Sequence, residues 1–276
     1  MKPLPALAVA LFSCACTGDS AAPHLARGNV LVNNGKREEA AAEYRKAAGL
    51  APRSGLARER LGDTLYDLGR KDEALAAYRD AAQVDPGSPT AHIGAARVLS
   101  DRNDLAGARA ELTAALTFAP SNLYALLSRG NLAARAGDRK AALADYAQAV
   151  HLKSDNVPAL YQYGLALLAD GQVPEAAATF DRILKGSPES PEGYYGRARV
   201  FAARGERASA AGALAEAMKR VGADARARLG EQGLKGDALD AQVRAATERS
   251  VLQLKSEPAF ARWANDPGFR SAAGWQ

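Results

Sequence analysis

A chain of 276 residues with 47% hydrophobic content is long enough for one large domain, two small ones or an extended array, so length alone leaves the architecture open. Aromatic residues make up only 6% and alanine is spread throughout, which suits closely crossing helices and argues against a sheet-rich core. The formal charge of +5, from 36 basic and 31 acidic residues, interleaves both signs without a basic stripe, which argues against nucleic-acid binding.

The first predicted element is a leader. Lys2 precedes an apolar run from Leu4 to Phe12 and then small residues, the pattern of a secretory signal peptide. That run is far shorter than the roughly 20 residues a membrane-spanning helix needs, so it is expected to be removed. Leu11-Phe12-Ser13-Cys14 resembles the lipobox of bacterial lipoproteins. The resemblance implies a signal peptide over 1–13, acylation of Cys14 and a tether over 14–20, with Cys16 as the alternative site. Each buried methylene of such an anchor contributes about 0.8 kcal/mol, so two or three chains hold a protein durably on a leaflet. By the same resemblance, Ala15 after the cysteine favours the outer membrane. Ordinary cleavage after Ala15 is the other reading, and it gives a soluble periplasmic protein. Cys14 and Cys16 are the only cysteines, too close together for a disulfide framework and without nearby partners for a metal site.

From residue 21 the sequence matches itself at a period of 34. One half of the pattern reads Ala40, Tyr44, Ala47, Pro52, then Ala74, Tyr78, Ala81, Pro86, then Ala108, Leu112, Ala115, Pro120. It continues through Ala142, Tyr146, Ala149, then Ala176, Phe180, Ile183, Pro188, and ends with Ala210, Leu214, Ala217. The other half places Gly28, Gly62, Gly130 and Gly164 at one position, with Ala96 and Ala198 in the remaining units. Such spacing predicts two antiparallel helices per unit, A and B, approaching closely at the small residues while the aromatic of helix B fills the gap toward the next unit. Gly35, Gly69, Asn103, Gly137, Gly171 and Gly205 share the turn between A and B, as a left-handed helix cap requires. Asp104 and Asp138 follow as expected N-caps of helix B. The prolines end helix B, with Ser154 and Gly222 at that place in the fourth and sixth units.

These motifs resemble the tetratricopeptide repeat family over about three quarters of the chain. Where that family prefers tryptophan the chain has His24, Arg58, His92, Leu126, Leu160 and Tyr194, so the resemblance is to its degenerate form. It implies an all-α fold, a right-handed superhelical solenoid of six hairpins over 21–222, divided as 21–54, 55–88, 89–122, 123–156, 157–190 and 191–222. Residues 223–276 leave the period. There Ala238, Val243, Ala246, Val251 and Leu254 recur at helical spacing, which predicts one or two capping helices, with Phe260, Trp263, Pro267 and Phe269 packed as part of the cap.

The resemblance further implies a concave wall of A helices that binds proteins. By register it carries Asn29, Asp63, Tyr66, Ile93, Arg97 and Tyr124, followed by Asn131, Tyr161, Leu165, Tyr195 and Arg199. Its four tyrosines offer apolar area with a polar tip at low entropy cost, suited to an extended peptide or a partner helix. The family's clamp for a C-terminal carboxylate is not matched, because Leu25, Thr90 and Gly94 replace its basic and amide residues. His24, His92 and His151 are dispersed and lack ligand spacing, and the two on A helices are expected as partly exposed groove or packing residues. No phosphate loop, nucleophile elbow or paired carboxylates are present, so neither catalysis, a cofactor, a metal nor a small-molecule substrate is expected. Exported lipoproteins with six such repeats resemble assembly factors of surface pili, of the Flp/Tad or type IV pilotin kind. The expected role is a lipid-anchored adaptor that assists a pilus or secretion complex, with polysaccharide export or outer-membrane protein assembly as alternatives.

Overall fold

The computed structural model describes residues 20–275. The expected signal peptide and both candidate lipidation sites, Cys14 and Cys16, lie outside them. The described residues form fifteen α-helices and no strands. The chain divides into two compact units, Met1–Asp104 and Leu105–Gln276. The first holds the hairpins α1 (Ala21–Asn33) with α2 (Arg37–Leu50) and α3 (Leu56–Asp67) with α4 (Lys71–Val84), then α5 (Pro89–Asp101). The second begins with α6 (Leu105–Phe118) and continues through three hairpins: α7 (Leu123–Arg135) with α8 (Arg139–Leu152), α9 (Val157–Ala169) with α10 (Val173–Gly186), and α11 (Pro191–Arg204) with α12 (Arg207–Glu231). It ends with α13 (Gly236–Lys255), α14 (Pro258–Ala261) and α15 (Pro267–Ala272).

The turns follow the sequence register. The five turn glycines have φ between 74° and 82°, and Asn103 takes φ 61° at the same place, the left-handed backbone that lets the next amide reach back. Arg70 N–H donates to Leu65 C=O at 2.9 Å, and the same bond recurs from Lys36, Asp104, Asp138, Gln172 and Glu206. Each one satisfies a carbonyl that the helix end would otherwise leave open. The Asp138 side chain accepts from Ala141 N–H as the N-cap of α8. Ser88, Asn122 and Asn156 cap α5, α7 and α9 in the same way, at Ala91, Ala125 and Ala159.

Within a hairpin the ring of helix B lies against helix A. Tyr44, Tyr78, Tyr146 and Phe180 are all buried, and each lies against the glycine of its own hairpin: Gly28, Gly62, Gly130 and Gly164. A Cβ at Gly62 would lie 2.7 Å from Tyr78 Cε1 and one at Gly164 2.6 Å from Phe180 Cε1, so only a bare backbone admits the ring. Two rings meet a second glycine from the following A helix. A Cβ at Gly94 would overlap Tyr78, and one at Gly196 would overlap Phe180. Those rings are therefore gripped from both sides. Where the ring gives way to Leu214, the facing residue is Ala198, and both lie in one buried cluster.

The sixth repeat departs from its expected boundary. Register matching ends at Gly222, yet α12 runs through that glycine to Glu231, 25 residues in all. No proline stands there, and the sequence that follows is rich in Ala, Arg and Leu, all strong helix formers. The last hairpin's apolar side is covered by residues beyond the repeats. Phe260, Phe269 and Trp275 are buried with Leu214, Met218, Val251 and Leu254, and Trp263 packs partly buried against them. Trp275 meets Phe260 and Phe269 edge-on at 6.5 and 5.3 Å, and Trp263 lies 5.2 Å from Phe269. Edge-to-face rings at these distances add to the area they bury.

Candidate protein-interaction surface

In the first unit Asn29, Asp63, Tyr66, Ile93 and Arg97 are held on α1, α3 and α5. Several are committed to neighbours. The Tyr44 hydroxyl donates to Asn29 Oδ1 and the Tyr78 hydroxyl to Asp63 Oδ1, both at 2.7 Å. Arg97 stacks over the Tyr66 ring with Cζ 3.8 Å from its centroid, and its Nη2 donates to the Tyr78 hydroxyl at 3.0 Å. The Tyr66 hydroxyl donates to Asp101, which Lys71 also meets at 2.7 Å. Lys71 and then Tyr66 hold the Asp101 carboxyl below its usual range. Burial, followed by the hydrogen bond to Asp63, pushes the Tyr78 phenol far up, so it remains a proton donor at any physiological pH. A cleft of about 300 Å³ opens beside this network, lined by Asn29, Tyr44, Arg60, Asp63 and Asp67 among others.

In the second unit Tyr124 and Asn131 lie on α7, Tyr161 and Leu165 on α9, and Tyr195 and Arg199 on α11. Tyr124 is exposed, at 56%. Asn131 accepts from the Tyr146 hydroxyl at 2.6 Å, repeating the bond made by Asn29 and Asp63. Burial raises the Tyr146 and Tyr195 phenols to about 12. Tyr161, Tyr195 and Arg199 converge on a cleft of about 430 Å³ whose opposite side is formed by α12 and α13. That volume is within the range of ligand pockets, about 300–1,000 Å³. Arg199 Nη1 donates to the Tyr161 hydroxyl at 2.8 Å, and Nη2 donates to Glu257 Oε1 at 2.6 Å. Leu165 and, in the first unit, Ile93 are half-buried.

Two features were not foreseen from the residues. The hydroxyls of Tyr44, Tyr78 and Tyr146 reach the A-helix surface, a connection signalled by an Asn or Asp 15 residues before each tyrosine. Glu257 reaches Arg199 from outside the period and leaves no such signal. His24, expected as a partly exposed groove or packing residue, is of the packing kind: it is buried with Nδ1 2.7 Å from Glu43 Oε2. Lys46 donates to the other oxygen at 2.8 Å, and these two partners, Lys46 foremost, hold the Glu43 carboxyl at about 2. The Glu43 carboxylate, projecting from α2, draws the imidazole of α1 inward. His24 is thereby a packing residue of the first hairpin. Among the described residues no cluster of His, Cys, Asp and Glu could hold a metal ion, and no helix is long and apolar enough to cross a membrane.

A family model described as tetratricopeptide repeat matches in four overlapping spans, residues 25–89, 60–123, 93–157 and 127–191. No curated protein matches the chain. Among solved structures, a tetratricopeptide repeat protein from Parabacteroides merdae aligns with a TM-score of 0.63 at 17% identity, over 94% of this chain and 99% of that one. PilW, described as a widely conserved type IV pilus biogenesis factor, gives a TM-score of 0.59 at 18% identity, over 80% and 97%. YrrB, described as having an unusual peptide-binding site, gives 0.56 at 22% identity, over 64% and 91%. At these identities the likeness establishes the fold alone.

Proposed function

The chain belongs to the tetratricopeptide repeat family, a fold of protein-interaction scaffolds, and from that premise we propose that it is a non-catalytic adaptor that grips a partner segment at the cleft of Tyr161, Tyr195 and Arg199. The convergence of two tyrosines and an arginine on one cleft of about 430 Å³ carries this reading. The rings offer apolar area while the guanidinium fixes orientation, the division of labour that protein-binding sites use. YrrB, with its peptide-binding site on the same architecture, supports an extended peptide or helix as the occupant.

The adaptor works in the bacterial envelope, exported and held to the outer membrane by lipid on Cys14, and it assists assembly of a pilus or secretion complex. The ground for the anchor is the leader and lipobox-like sequence ending at Cys14. The ground for choosing a pilus over polysaccharide export is the architecture shared with PilW over 80% of this chain.

Both parts have direct tests. A photo-crosslinking residue at Gln253, which lines the cleft, captures the partner in cells, and Tyr161→Ala with Tyr195→Ala abolishes the crosslink while circular dichroism confirms that the helices persist. An unchanged crosslink overturns the groove. Palmitate labelling is expected in the native chain and absent from Cys14→Ser. Label lost only in Cys16→Ser moves the anchor to Cys16, and a native chain without label overturns the anchor.

A further inference from the structure

The cleft of the second unit already holds a carboxylate. Glu257, the N-cap residue of α14, reaches across to Arg199, whose guanidinium also bonds the Tyr161 hydroxyl and, at 3.3 Å, the Tyr195 carbonyl. The Arg199 and Glu257 side chains are only 15% and 21% exposed, so the pair is shielded and charge-assisted, unlike the rim pairs elsewhere on the chain. Leu254 and Phe260, on either side of Glu257, are both buried and fix the backbone there. Glu257 can therefore leave Arg199 only by rotation of its side chain. Facing it, α13 is lightly held: of its 20 residues only Val251 and Leu254 are buried. Arg249 on that helix lines the cleft and makes no hydrogen bond or ion pair among the described residues.

We propose that Glu257 is a built-in stand-in for a partner's carboxylate, and that a segment bearing Glu or Asp enters the cleft by replacing it on Arg199. The inference rests on the groove reading above and adds the chemistry of the occupant. A neutral segment cannot make the exchange, because a shielded guanidinium left unpaired is strongly unfavourable, whereas one carboxylate for another conserves the bond. Arg249, unpaired, then meets a second acidic group. Glu257 thus keeps the cleft satisfied while empty and rejects partners that bring no negative charge.

The test uses the full chain and two fluorescein-labelled 12-residue peptides, one with Glu at alternate positions and one with Gln instead, followed by anisotropy at low salt. The Glu peptide is expected to bind Glu257→Gln about tenfold more tightly than the native chain, a coupling of ordinary size. Adding Arg199→Gln abolishes that binding, and adding Arg249→Gln weakens it. The Gln peptide binds no variant. Thermal melts accompany Arg199→Gln to check that the cap stays folded, and Arg249→Gln supplies the second reading. Equal affinity for the native chain and Glu257→Gln overturns the exchange, as does equal binding of the two peptides or no binding to any variant. If Tyr161→Ala with Tyr195→Ala abolishes the cellular crosslink while Glu257→Gln leaves peptide affinity unchanged, only the exchange fails. A crosslink indifferent to the tyrosines removes the groove itself.

Discussion

Tyr78 shows how much one residue of this fold does. Its ring lies between Gly62 and Gly94, and its hydroxyl ties Asp63 to Arg97 at the surface. The ring's place was legible, because an aromatic at fixed spacing from small residues is a local pattern. The hydroxyl's partner was legible in principle, since Asn29, Asp63 and Asn131 repeat at one distance from their tyrosines, but polar residues on an A helix suit a binding wall equally well. Gly62→Ala forces a methyl into the ring and is expected to cost about 2 kcal/mol, measured by urea unfolding. Glu43 gives a pH test. Its carboxyl titrates at about 2 when folded against an ordinary 4.5, so its stabilising contribution is complete above pH 4.5 and is lost as pH falls toward 2. Unfolding midpoints of the native chain should therefore drop more steeply across that window than those of Glu43→Gln.

At the scale of helices, boundaries followed punctuation wherever punctuation existed. Pro52, Pro86, Pro120 and Pro188 each stand two residues beyond the end of a helix, and left-handed turns fall at every expected glycine and at Asn103. α8 ends at Leu152 even without a proline, because Asn156 starts the next helix as its cap. The exception is the end of α12, where a glycine stands in the proline register and nothing after it competes with the helix. Gly222 is therefore an interior helical glycine at which an added Cβ makes only ordinary contacts, 3.8 Å from Thr247 and 4.0 Å from Val243. Gly222→Ala should raise stability by about 0.8 kcal/mol, read as a higher melting temperature with unchanged helical content. The contacts of α13 to α15 with the last hairpin were legible only as apolar spacing. Which side chains they meet depends on tertiary folding across some 60 residues, as the Arg199–Glu257 pair illustrates.

Over the whole molecule, repeats that contact mainly their neighbours make stability a sum of local terms. Gly62→Ala and Gly164→Ala belong to different compact units and share no partner, so their costs should add within about 0.5 kcal/mol in the double variant. A larger deficit would reveal coupling beyond neighbouring hairpins. The fold was readable at this scale because one register recurs six times, while the identity of a partner leaves no periodic trace. The pairing of glycine with ring has a further consequence for descent. Gly28, Gly62, Gly130 and Gly164 share repeats with aromatic residues, whereas Ala96 and Ala198 share theirs with Leu112 and Leu214. Neither letter of such a pair can drift first, since a methyl added beneath a ring collides with it and a ring lost above a glycine leaves a hole. Copies of the repeat thus inherit the two letters as a linked allele, and a lineage that switches from one pair to the other must cross a less stable ancestor.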